Sequence, residues 1–272
     1  MTLFDPLEQP ASDAPAAPSD DRASFAVVRL LVAYDGTDFH GFAKQVDQRT
    51  VAGVLMEALT RVTRSEVELA CAGRTDAGVH AWGQVVSFAA SPDLDLDRLQ
   101  ASLNGMLGPE IVVRHAEFAP AGFDARHSAQ WRSYQYTVVN RPEPDPFRAR
   151  YAWHVPAALD LHALRLAADP FVGEHDFASF ARKGPPGSTT VRRVTKSSWC
   201  DLGDGMLRYD IRANAFCWQM VRSIVGTLVE IGTGKKRPGD ILSIMRAGER
   251  SAAGQVAPPH GLCLWEVGYP AE

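Results

Sequence analysis

From residue 25 to 34 almost every position is aliphatic, β-branched or aromatic, and the run stops at Asp35-Gly36, a turn pair. That pattern predicts a buried strand. A loop through His40 and Gln45 follows, and then Val51, Val54, Leu55, Ala58, Leu59 and Val62 recur at helical spacing behind Thr50. Thr50 suits a helix N-cap, and Arg61 and Arg64 fall on the polar side of the helix. Strands at about 67 to 72 and 84 to 89, a helix over 94 to 107 capped near Asp93 or Asp95, and a strand over 111 to 118 complete this half. The order strand, helix, strand, strand, helix, strand is that of a split βαβ, ferredoxin-like unit.

After a linker around 119 to 128 the order loosely repeats. The pattern predicts a strand over 131 to 140, a helix over 160 to 171, and a hairpin of 191 to 201 with 206 to 213 that turns at Gly203 to Gly205. A long helix over 215 to 231 is apolar around most of its circumference, leaving a narrow polar stripe of Gln219, Arg222, Ser223, Gly226 and Glu230. Such a helix is sandwiched between other elements. Lys235 to Pro238 ends it and begins a short helix, and 262 to 269 forms a last strand. The fold class expected is α+β: two ferredoxin-like, RRM-like α/β subdomains, residues 25–120 and 121–272, whose mainly antiparallel sheets form a central sheet with the active-site cleft between them.

Composition narrows the class. The chain has 272 residues, 46% hydrophobic and 22% charged, enough for one large core or two ordinary ones. No apolar run approaches the roughly 18 residues of a membrane span, and the acidic, Ala- and Pro-rich start lacks the order of a secretory signal. A cytoplasmic protein is expected. Cys71, Cys200, Cys217 and Cys263 form no Cys-x-x-Cys pair and have no finger-like histidine spacing, so neither zinc nor a disulfide framework is expected.

The formal net charge of −4 is misleading, because Asp5, Glu8, Asp13, Asp20 and Asp21 lie in the first 24 residues against Arg22 alone. Residues 1–24 read as a disordered acidic tail, and the remainder is formally neutral. Within it, Arg182, Lys183, Arg192, Arg193 and Lys196 form one basic stripe, and Arg126, Arg132, Arg141, Arg148 and Arg150 another. Stripes of this kind suit a phosphate backbone, although a solvated charged loop would look similar.

The densest chemistry lies at residues 70 to 80. Gly73, Arg74, Thr75, Asp76 and Gly78 place one carboxylate in a glycine-flanked turn beside a cation, between two strands. Asp76 is a candidate for nucleophilic or acid/base work, or a turn aspartate bonded to its own backbone. Arg222, on the polar stripe of a buried helix, is its candidate long-range partner or a boundary arginine covering apolar surface. Tyr134 and Tyr136 share a strand face near Arg126 and Arg132, suited to base stacking or to core packing. His40, His80 and His127 fall in predicted loops without metal-pair spacing. Cys71, within an alternating apolar run, reads as a core cysteine. Residues 232 to 236 lack the spacing of a phosphate loop, and there is no dinucleotide fingerprint, so no nucleotide cofactor is expected.

In this order, these residues resemble the tRNA pseudouridine synthase A family from about residue 25 onward. The resemblance rests on Tyr34-Asp35-Gly36 with Gly41 and Gln45; on Gly73-Arg74-Thr75-Asp76-Ala77-Gly78-Val79-His80 with Gln84-Val85-Val86; and on Phe123-Asp124-Ala125-Arg126-His127-Ser128 leading to Tyr134-Gln135-Tyr136 and Asn140. It continues through Phe216, Met220-Val221-Arg222, Ile224-Val225-Gly226 and Gly232, and through Pro258, Gly261-Leu262 and Leu264. The family often has Gly-Trp-Gln where this chain has Gly41-Phe42-Ala43, and Cys217-Trp218-Gln219 fills a variable stretch.

The resemblance implies an RNA isomerase that converts uridine to pseudouridine at nucleotides 38, 39 and 40 of the tRNA anticodon stem-loop, with no metal or other cofactor. It implies Asp76 as nucleophile, Arg222 as its ion-pair partner, Arg74 as a residue handling the flipped nucleotide, and Tyr134 as the base-stacking ring. Leu264 belongs to the implied substrate site, and Arg126, Arg182, Lys183, Arg192 and Arg193 would follow the phosphates. A symmetric homodimer whose tRNA touches both subunits is implied as well. An inactive RNA-binding protein on the same fold is the main alternative. A glycoside hydrolase would need a second carboxylate beside Asp76, and none is evident.

Overall fold

Alternation along the first strand decides which face of the sheet is dry. In β1 (Ala26–Tyr34), Val28, Leu30 and Val32 are completely buried, every second residue pointing the same way. The computed structural model describes residues 25–184 and 187–270, so the acidic tail expected over 1–24 lies outside the described residues.

Helix α1 (Val51–Thr63) begins as its sequence dictates, with the Thr50 side chain accepting from the Gly53 N–H, and it buries Val51, Ala52, Leu55, Ala58 and Leu59. Each large aliphatic side chain so buried contributes roughly 1.5–3 kcal/mol. The strand expected over 67 to 72 shrinks to β2 (Ala70–Cys71), while its neighbour lengthens to β3 (His80–Ala90), buried on both faces for most of its length. Helix α2 (Leu96–Leu107) is capped by Asp95, whose carboxylate accepts from the Arg98 N–H, and it packs on β4 (Ile111–Ala119).

The later elements are β5 (Trp131–Val139), β6 (Trp153–His154), α3 (Leu161–Ala168), β7 (Gly173–Asp176), β8 (Val191–Gly203), β9 (Met206–Ala213), α4 (Met220–Gly232), α5 (Asp240–Ala247) and β10 (Leu262–Gly268). A single sheet runs β4-β1-β3-β10-β5-β9-β8-β7, with β2 added on β3 and β6 on β5. Its pairings are antiparallel except at β5/β6 and at β3/β10, where Cys263 faces His80 and Leu264 faces Ala81. The protein is thus α+β, with one large, mostly antiparallel sheet and five α-helices among the described residues.

Two boundaries differ from the sequence pattern for physical reasons. The helix expected over 160 to 171 ends at Ala168, and Pro170 leads into one 3₁₀ turn, Asp169–Phe171. The helix expected from 215 starts only at Met220, because Gln219 takes a left-handed conformation with φ 61°. Residues 214 to 219 are therefore irregular and free to line a surface. Within α4, Ser223 and Gly226 belong to the buried face, not to a polar stripe. A side chain at Gly226 would collide with the Gln255 carbonyl, so glycine there brings α4 against the 255–257 segment.

Candidate active site

The turn that carries Asp76 is held at both ends before its side chain does anything. The buried Gln84 amide clamps Gly73, donating to its carbonyl at 2.6 Å and accepting from its N–H at 3.4 Å. The Arg132 guanidinium donates twice to the Ala72 carbonyl, at 3.0 and 2.8 Å, and also to the Arg126 carbonyl at 2.9 Å. Thr75 is fixed from its side chain and its backbone: Tyr34 Oη lies 2.8 Å from Thr75 Oγ1, and Phe42 N–H donates to the Thr75 carbonyl at 3.1 Å. Burial pushes the Tyr34 phenol far above its ordinary value, so it stays protonated in this network. Gly78, at φ 75°, reverses the chain, and Val79 N–H closes the turn on the Asp76 carbonyl at 3.1 Å.

The Asp76 carboxylate is not spent on its own turn. Oδ2 lies 3.1 Å from Arg222 Nη1, and Oδ1 accepts from Trp218 Nε1 at 3.1 Å. With side-chain exposures of 14% for Arg222 and 27% for Asp76, the ion pair is shielded enough to count for more than a surface pair. Arg222 is itself aimed, because its Nε donates to the Ala257 carbonyl at 2.8 Å. The cation on Asp76 is thus Arg222 from α4. Arg74, the neighbour in sequence, is exposed and has no ion pair among the described residues.

Tyr134, on β5, is buried to 8% exposure, with its ring edge-on to Phe216 at 4.9 Å between centroids. Burial raises its phenol, Arg132 pulls the value down, and the Asp76 charge adds to the rise. Its hydroxyl has no hydrogen bond to protein among the described residues. Tyr136 is wholly buried and donates to the Pro258 carbonyl at 2.8 Å, a core role.

Asp76, Arg222, Trp218, Arg74, Tyr134 and Phe216 line one open cleft of 1540 Å³, larger than the roughly 300–1,000 Å³ of a small-molecule pocket. Its walls carry Lys44, Arg74, Arg126, Arg132, Arg192 and Arg222 against the acids Asp76 and Asp124. Asp124 is occupied in its own turn, accepting from the N–H groups of Arg126 and His127. Positive charge therefore surrounds one carboxylate.

The structure redistributes the expected basic stripes. Arg192 lines the cleft, but Arg193 pairs with Glu174 at 3.0 Å and Lys196 lies 4.0 Å from Asp210. Arg141 and Arg148 are neutralised by Asp145 and Asp204, and Arg150 by Asp38. Arg182 stacks on the Trp218 ring at 4.1 Å, and Lys183 is exposed without a partner among the described residues. Leu264 is completely buried in β10; Leu262, two residues earlier, is the one on the cleft wall.

His40 and His127 line the cleft, whereas His80 is structural. Its Nδ1 accepts from Gly36 N–H at 3.0 Å, and Nε2 faces the carbonyls of Arg150 and His260 at 3.0 and 3.1 Å. Burial holds its value below the ordinary 6.5, although Asp35 opposes the shift. Cys71 also lines the cleft, but burial raises its thiol despite Arg74, Arg126 and Arg132, which disfavours a thiolate. Among the described residues no group of three or more His, Cys, Asp or Glu could hold a metal ion, and no helix is long and apolar enough to cross a membrane.

Sequence reasoning passed over Trp218, which looks like the buried face of a helix until that helix is seen to begin at Met220. Gln84, Tyr34 and Arg132 were visible as residue types, but only the folded turn shows what they hold.

Comparison with known proteins identifies the family. The sequence profile described as tRNA pseudouridine synthase matches residues 30–128 and 167–270. Curated proteins called tRNA pseudouridine synthase A are similar over nearly the whole chain. The one from Leifsonia xyli subsp. xyli is 46% identical over 266 residues, covering 90% of this chain and 92% of its own. Those from Brevibacillus brevis and Geotalea daltonii are 45% and 39% identical over 242 residues, covering 89% of this chain and 99% of their own. Matched by the family profile and by these relatives along most of its length, this chain belongs to the tRNA pseudouridine synthase family.

Proposed function

We propose that this chain isomerises uridine to pseudouridine in the anticodon stem-loop of tRNA, at nucleotides 38, 39 and 40, with Asp76 as the reacting carboxylate. The single observation that carries the reading is the Asp76 carboxylate, fixed by Arg222 and Trp218 on the wall of a basic cleft larger than a usual small-molecule pocket. In the reaction N1–C1′ breaks, the uracil turns while bound, C5 bonds to C1′, the C5 proton leaves, and N1 gains one. A carboxylate serves this by adding to the sugar or base, or by taking a ribose proton.

The target uridine leaves its stack to reach Asp76, at a cost of a few kcal/mol. Tyr134 provides an aromatic surface for the flipped base, and Arg74, exposed on the cleft wall with no ion pair among the described residues, holds the nucleotide out of the stem. Arg126 and Arg192 follow the phosphates, with Lys44 added by its place on the wall. Arg182 and Lys183 are not among the residues lining the cleft, but Arg182 adjoins it by stacking on Trp218, and the two add positive charge beside it.

Residues 25–120 and 121–272 act as two ferredoxin-like subdomains, the first bringing Asp76 and the second Tyr134 and Arg222. The working form is a cytoplasmic homodimer. The exposed, stacked rings of Trp82 and Trp265, 5.9 Å apart with Arg114 over Trp82, offer an aromatic patch for a second copy.

The reading is tested by tritium release from unmodified tRNA labelled at uridine C5. The wild-type chain is expected to release tritium and Asp76→Asn to release none while still binding tRNA. Equal release by both would remove Asp76 from the chemistry.

A further inference from the structure

We propose that Trp218 is a positioning residue for Asp76: its indole N–H holds Oδ1 while Arg222 holds Oδ2, and Arg182 locks the indole in place. The inference rests on the reading of Asp76 as the reacting group.

One contact at Oδ2 leaves the carboxylate free to turn about its Cβ–Cγ bond. A second donor on Oδ1, at 3.1 Å, removes that freedom and sets the plane in which the lone pairs point. Indole suits this task because it is neutral and donates only. It orients the carboxylate without adding a second counter-charge that would weaken a nucleophile.

The tryptophan is placed with care that solvent-facing packing does not require. Its side chain is 47% exposed, an unusual position for the largest apolar residue type. Its carbonyl accepts from Arg182 N–H at 2.9 Å, while the Arg182 guanidinium carbon lies 4.1 Å from the ring centroid, a cation–π contact. One residue therefore grips Trp218 by both backbone and ring. On the other side Gln219 is held in the left-handed region, a conformation that persists in a non-glycine residue only when its surroundings impose it. Two residues earlier Phe216 packs against Tyr134, so the same short segment sets both the aromatic surface and the carboxylate.

The arrangement also gives Arg182 a task beyond general charge. It reaches the Asp76 carboxylate through a single ring.

Three variants decide the matter, assayed for kcat and KM on unmodified tRNA at pH 8. Asp76→Asn comes first; if it turns over like the wild type, the nucleophile reading fails and this inference with it. With Asp76→Asn inactive, Trp218→Phe keeps the ring and its cation–π contact but lacks the N–H. It is expected to lower kcat by roughly 10- to 100-fold with KM within about threefold. Trp218→His restores a donor, because imidazole Nε2 overlies indole Nε1, and is expected to recover part of that kcat. Wild-type kcat in Trp218→Phe, a change confined to KM, or equal kcat losses in the Phe and His variants would each overturn the proposal.

Discussion

Arg222 is committed at two separate atoms, with Nη1 3.1 Å from Asp76 Oδ2 and Nε 2.8 Å from the Ala257 carbonyl. Only a planar, forked cation satisfies both acceptors. Arg222→Lys keeps the charge but not the fork, and is expected to lower kcat by roughly tenfold or more. Arg222→Ala, which also leaves Asp76 without its counter-ion, is expected to cost roughly 100-fold or more. Single-turnover kinetics on unmodified tRNA separate the two, and equal rates in wild type and Arg222→Lys would show that charge alone matters.

Arg192 and Arg193 are adjacent in sequence and unlike in surroundings. Arg192 lines the cleft, whereas Arg193 is paired with Glu174. The slope of log affinity for tRNA against log salt is expected to fall by about 0.7–0.9 in Arg192→Ala or Arg126→Ala. Arg193→Ala is expected to leave it unchanged. Equal slopes for Arg192→Ala and Arg193→Ala would place the RNA elsewhere.

The pH dependence of stability follows from His80 and His260. Burial holds both imidazoles below their ordinary 6.5, so the unfolded chain binds more protons than the folded one as pH drops. Their contribution is complete above pH 6.5 and is lost as pH falls through 6.5 toward the lower folded values. Urea midpoints are expected to decline over that range, and less steeply in His80→Gln. A midpoint that rose on acidification from pH 7 would contradict the assignment of His80 as a neutral acceptor.

Gly226 governs the approach of α4 to the segment holding Ala257. A methyl group there collides with the Gln255 carbonyl, so Gly226→Ala is expected to cost about 1–3 kcal/mol. Because Ala257 aims Arg222, turnover is expected to fall more than stability would explain. Denaturation midpoints and kcat measured on the same preparation test this.

Sequence reading succeeded where local chemistry settles structure. Thr50 and Asp95 each accept from a helix N-terminal N–H, and the spacing of Leu55, Ala58 and Leu59 is that of a buried stripe. It failed where a neighbour overrides local preference. The segment 215 to 219 has helical periodicity, yet Gln219 breaks it, and Trp218 is thereby presented to Asp76. A basic stripe is equally silent about partners: Arg150 and Arg193 differ from Arg192 through Asp38 and Glu174, acids distant in the chain, whereas Arg141 and Arg148 meet Asp145 only three or four residues away. Leu262 and Leu264 are both apolar strand residues, and only the folded sheet separates a cleft wall from the interior.

The last strand in chain order, β10, lies in the middle of the sheet, between β3 and β5. A chain emerging from the ribosome has made Asp76 and Arg222 well before residues 262 to 268 exist to join the strands on either side. Even once Arg222 is made, the ion pair therefore still lacks a complete scaffold. The gap between β3 and β5 closes only when this strand arrives, so a partly made chain holds the Asp76 carboxylate in a sheet that is still in two parts.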